Sequence, residues 1–75
     1  MDIEVIKIIG MALVVGIGVS VPAYGIGRIA SSALEAIGRN PEASGKIQGS
    51  MIIGIAFTEG LAIFALVAGF IIKFT

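Results

Sequence analysis

Cysteine and histidine are absent from the chain, and only 13% of its residues are charged. Without cysteine there is neither a disulfide nor a thiolate metal site. Without histidine the usual proton shuttle and transition-metal ligand is missing. Soluble domains average about 25% charged residues; here five basic residues balance five acidic ones, leaving no net charge. No basic patch with interleaved aromatics is present, so nucleic acid is not an expected partner. What fills the 75 residues instead is apolar: side chains of the AVILMFWYC set make up 57% of them. A chain this short buries only about 60% of its unfolded surface, too little to hide so many apolar groups from water. Composition thus excludes a soluble monomeric enzyme and points to a membrane protein that works as an oligomer.

Residues 8–27 form a run of 20 without a formal charge, the length needed to cross a hydrocarbon core of about 30 Å. Residues 47–72 hold a single charge, Glu59, with 12 uncharged residues before it and 13 after. Two segments cannot close a barrel, so both spans are expected to be α-helices. The N-terminal run does not read as a cleaved signal, because its flank, MDIEVIK, is acidic and the run is long. The fold expected is an all-α antiparallel transmembrane hairpin over residues 1–75: helix 1 over about 3–38, a polar loop over about 38–42, helix 2 over about 41–73. Asn40 is a candidate cap, Pro41 suits a first helical position, and Glu42 complements the positive helix end. Helix 1 would be about 54 Å long, so the loop side should protrude from the bilayer. Three Lys/Arg in the middle segment against two at the ends favour a cytoplasmic loop with both termini outside.

Gly16, Gly18, Ser20, Ala23, Gly25 and Gly27 crowd helix 1. Small residues let membrane helices approach closely, and this alternation puts them on more than one face, as in a helix squeezed from both sides. The plainer reading is that glycine is common in membrane helices. Pro22 removes one backbone hydrogen bond within the stripe and is expected to perturb the helix there.

Glu59 carries the functional reading. An ionised carboxylate at mid-bilayer costs at least about 2.5–3.5 kcal/mol, and apolar surroundings favour the neutral form of a carboxyl. An acid that is neutral in lipid and ionised in a polar setting is a proton carrier. The structural alternative is an acid permanently paired to a buried cation. Counting back from the turn puts Glu59 level with about Ala23 to Ile26, which makes Tyr24 a candidate hydroxyl partner. Three readings of Arg28 compete: it snorkels to the loop-side headgroups, it faces a neighbouring subunit or polar crevice, or it pairs with Glu59.

A glycine-rich first helix, an Arg39-Asn40-Pro41-Glu42 loop preceded by Glu35, and a mid-membrane acid within AFTEGLAIFALV together resemble the proteolipid of the c-ring in F-type ATP synthases, over nearly the whole chain. The family's repeated-glycine stripe is here Gly16-x-Gly18-x-Ser20-x-Pro22, and Ser32 stands where many members carry a basic residue. The resemblance implies a non-catalytic rotor subunit in a ring of identical hairpins, helix 1 inside and helix 2 outside. It implies that Glu59 binds the transported ion between neighbouring subunits, and that a membrane stator subunit supplies half-channels and an arginine. It also implies that Arg39, Asn40 and Pro41 contact the central stalk, in an energy-transducing membrane such as a bacterial plasma membrane.

No cofactor is expected; the carried ion is H+ or, as the alternative, Na+. Sodium members of the family resemble one another in a helix-1 glutamine and a hydroxyl after the acid, and those positions are here Ile26 and Gly60. Phe57 and Phe64 nearby are apolar too. Hard cations need several oxygens, so proton coupling is expected, with a neutral Glu59 donating to a backbone carbonyl such as that of Phe57. A non-transporting structural hairpin is the rival of another class; it would need the small residues but not the acid.

Overall fold

The computed structural model describes residues 2–75. The chain forms α1 (Ile3–Arg39), a single 3-10 turn (Pro41–Ala43) and α2 (Ser44–Phe74), a hairpin 59 Å long and 16 Å wide. Both helices are long and apolar enough to cross a membrane.

Each end of the hairpin has a local cause. The Asp2 carboxylate accepts the Val5 N–H at 2.9 Å, capping a helix whose first turn also holds Glu4. Arg39 and Lys73 sit in the last turns of α1 and α2, where the helix dipole favours a cation. Lys73 also reaches Glu4 at 3.6 Å, so the free ends of the two helices are joined.

The turn departs from the expected one. Only Asn40 lies outside helical structure between the two rods. Its side chain makes no capping bond. Its backbone closes the turn instead, the N–H donating to Ala36 O at 2.9 Å and the carbonyl accepting from Ala43 N–H at 3.1 Å. Residues 41–43 close as a tight i→i+3 turn, so α2 starts at Ser44 rather than at Pro41. Pro41 lacks an N–H and presets its own φ, which suits that first position.

α1 runs unbroken through Pro22, which is buried. The helices meet along one stripe each. A side-chain carbon added at Gly10 would lie 3.3 Å from Ile72, one at Gly25 3.6 Å from Thr58, and one at Gly54 3.5 Å from Ile29. At Gly18 and Gly69 the added carbon would overlap Ala65 and Val15 respectively. The α2 stripe is thus Gly54, Thr58, Ala62, Ala65 and Gly69, small residues at three- and four-residue spacing. Only helix 1 stood out as glycine-rich in sequence; this second stripe, diluted by large neighbours, is the other half of the seam.

Among the described residues only Pro22 and Ala33 bury an apolar side chain, Ala33 at 8% exposure, while twenty-two large apolar side chains are exposed. A single hairpin therefore has almost no core. Lipid, and other protein, must cover the rest.

Candidate functional site

Glu59 is the middle residue of α2, with fifteen helical residues on either side. It is exposed and forms no ion pair with any described residue. The contacts Gly18–Ala65, Gly25–Thr58 and Gly54–Ile29 fix an antiparallel register in which paired positions sum to 83. Position 24 is then level with position 59, so Tyr24 lies at the depth the residue count predicted.

It lies on the wrong side of the hairpin to touch Glu59. Two grooves follow the seam between the helices. One, of about 620 Å³, lies toward the turn and is lined by Arg28, Ser32, Lys46 and Ser50 among others. The other, of about 180 Å³, lies toward the termini and is lined by Met11, Val15, Leu66 and Phe70. Ser50 and Leu66 are sixteen residues apart, about 160° around the helix, so the grooves open on opposite flanks. Glu59 precedes Leu66 by close to two full turns and follows Ser50 by about two and a half. It therefore belongs to the Leu66 flank. Arg28 belongs to the other, and donates to the Tyr24 hydroxyl at 3.4 Å.

The remaining site residues divide the same way. Phe57 and Phe64 follow Ser50 by about two and four turns, which places them on the Arg28 flank, 77% and 72% exposed. Ile26 follows Val15 by about three turns and shares the flank of Glu59. Within one hairpin the site is thus incomplete: Glu59 and Ile26 face one way, Tyr24, Phe57 and Phe64 the other. The expected hydrogen bond from Glu59 to the Phe57 carbonyl is not made within the hairpin, where that carbonyl points along the axis of α2 and serves the helix's own ladder. The permanent Arg28–Glu59 pair is absent within the chain because the two lie on opposite flanks. Depth can be counted from the turn, but the flank depends on how α1 is rotated against α2, and one residue of rotation is about 100°.

Thr58, beside the acid, turns into the seam rather than toward the carboxyl. Its hydroxyl donates to the Gly54 carbonyl of its own helix at 2.8 Å, and its methyl faces Gly25. The loop residues Arg39, Asn40 and Pro41 are exposed at the closed end. Arg39 pairs with Glu35 one turn back at 3.3 Å, which orients its side chain along the α1 surface.

Residues 9–72 match the family model of the ATP synthase C subunit. The chain is 52% identical over 71 residues to an ATP synthase c-type subunit of Chloroflexus aurantiacus, covering 95% of this chain and 93% of that one. It is 46% identical over 74 residues to an ATP synthase c-type subunit of Dehalococcoides mccartyi, covering 99% and 97%. It is 40% identical over 72 residues to a c-type subunit, numbered 2, of an ATP synthase of Cereibacter sphaeroides, covering 96% and 87%.

Proposed function

Because the chain belongs to the family of ATP synthase c-type subunits, we propose that it is the proton-carrying member of a rotor ring, with Glu59 as the reversibly protonated group. The hairpin is not catalytic by itself; it serves ATP synthesis as a membrane rotor part of a larger complex. The observation that carries the proton reading is an exposed, unpaired carboxyl at the midpoint of an apolar helix.

An ionised carboxylate facing lipid is strongly disfavoured, so the protonated form is the one that travels through the bilayer. In a polar channel of the stator the balance reverses and the proton leaves, helped by the stator's arginine. Each proton crossing the membrane potential supplies about 2.3 kcal/mol per 100 mV, and rotation sums several such steps for one ATP. The two flanks of the hairpin support a site shared between subunits. In a ring, the flank bearing Glu59 and Ile26 meets the neighbour's flank bearing Phe57 and Phe64, whose rings exclude water from the acid. What supports proton rather than sodium coupling is the scarcity of side-chain oxygens: Ile26 and Gly60 offer none, and the Thr58 side chain turns into the seam between the helices. Arg39, Asn40 and Pro41 are exposed at the closed end of the hairpin, and on this reading they meet the central stalk. The membrane is energy-transducing; a bacterial plasma membrane with the turn cytoplasmic is the reading the charge distribution supports.

Carbodiimide labelling of the detergent-solubilised protein, followed by mass spectrometry across pH with and without sodium, tests this. Selective modification of Glu59, lost at high pH and indifferent to sodium, is the expected result. Protection by sodium would replace the coupling ion. Failure to react at every pH would remove the transport role.

A further inference from the structure

Each hairpin carries one cation and one carboxylate at mid-membrane depth, at nearly the same height and on opposite flanks. Arg28 starts about 6 Å nearer the turn than the level of Glu59, but its guanidinium donates to the Tyr24 hydroxyl, which brings it back toward that level. It has no carboxylate partner among the described residues, although charges inside a membrane pair or face a polar space. Resting on the rotor-ring reading, we propose that Arg28 of one hairpin, steadied by Tyr24, is the counter-charge of the ionised Glu59 on the next hairpin.

The charge pattern itself selects how the copies meet. Chains inserted in one direction are related only by rotation about the membrane normal. Like flank against like flank would oppose Arg28 to Arg28 in a medium that screens poorly, whatever the state of Glu59. Unlike flanks set Arg28 against Glu59 instead, and such head-to-tail contacts repeat from copy to copy until they close. No other charged group competes for Glu59. Its own flank offers Ile26 from α1 and Ile52 and Leu66 from α2, all apolar. The facing flank offers Tyr24, Arg28 and, at the turn end of the same groove, Lys46, whose position is about 20 Å along the helix from that of Glu59. When Glu59 is protonated, Arg28 keeps the Tyr24 hydroxyl; when the proton leaves, the guanidinium is at hand. Arg28 is thus a positioning residue for the ionised state, distinct from the stator's arginine because every hairpin carries its own.

The test is zero-length cross-linking of Arg28→Lys in the detergent-solubilised oligomer. Carbodiimide activates the Glu59 carboxyl; an amine in contact displaces the urea and forms an amide, with net loss of one water per junction. A ladder of covalent multimers, with peptides joined between positions 28 and 59 of different chains and abolished by adding E59Q, is expected. An intact oligomer by native mass spectrometry without that ladder would overturn the proposal, with Arg28 then turned to lipid headgroups, and leave the ring standing. Absence of any oligomer for the unsubstituted chain would remove the ring and this inference with it. A junction formed within one chain would overturn the opposite-flank geometry. If R28K does not assemble, thermal dissociation answers the same question. At a pH high enough to abolish carbodiimide labelling of Glu59, R28Q should weaken the oligomer by leaving the carboxylate uncompensated, and R28Q/E59Q should recover it; additive losses would overturn the pairing.

Discussion

Gly18 and Ala65 meet so closely that a methyl group on Gly18 would overlap the Ala65 side chain. This contact sets the spacing of α1 and α2 near the middle of the hairpin. Gly16, half a turn back on the same helix, has nothing within 4 Å of where its side chain would start. The two glycines therefore serve different partners. G18V should splay the hairpin and destabilise it by about 1–3 kcal/mol, with loss of assembly as a consequence. G16V should leave the single hairpin folded and act on the oligomer alone. Circular dichroism melting together with native mass spectrometry separates the two outcomes; equal effects would mean that the faces are not divided as described.

Replacing Glu59 by Gln keeps the size and hydrogen-bonding shape of the side chain but removes the exchangeable proton. Proton-driven ATP synthesis and passive proton conduction in liposomes containing the whole complex should both fall to background, with the ring still present in the complex. Retained conduction would show that another group carries the proton.

Sodium should not protect Glu59 from carbodiimide, because its flank offers a cation no side-chain oxygen besides its own carboxyl. Introducing ligands tests the same logic in the other direction. I26Q together with G60S adds two oxygen-bearing side chains and should create sodium protection where there was none. A sodium effect in the unsubstituted chain would mean that backbone carbonyls and Tyr24 of a neighbour suffice.

At the closed end, the Arg39–Glu35 pair is exposed on both sides, and exposed pairs contribute about 0–1 kcal/mol. E35Q should therefore leave ring stability nearly unchanged. R39A should leave it nearly unchanged as well, yet lower the ATP made per proton by loosening contact with the central stalk. Comparing the synthesis rate with the proton flux in the same vesicles distinguishes uncoupling from loss of assembly.

The depth of each site residue was legible in the sequence because the turn is short and a helix rises uniformly. Arg39-Asn40-Pro41 marked the turn, and counting from it set Tyr24 level with Glu59. The flank was not legible. Whether Tyr24 faces Glu59 or faces away depends on the roll of α1 against α2, which Gly18, Gly25 and Gly69 decide through contacts with Ala65, Thr58 and Val15. Nothing local to Tyr24 carries that information. Asn40 misled for a different reason: its side chain is a good capper, but backbone bonds to Ala36 and Ala43 already occupy the groups a cap would serve.

The turn between the helices also has a mechanical meaning. A flexible linker would bend under load and let one helix lag the other. Here a single non-helical residue, pinned by two backbone hydrogen bonds, joins two rods that interlock along their small-residue seam. Turn and seam together make the hairpin a frame with little compliance. A sideways push on Glu59 reaches Asn40 as displacement of the whole frame, about 28 Å along the helix at 1.5 Å per residue, rather than being absorbed by unwinding on the way.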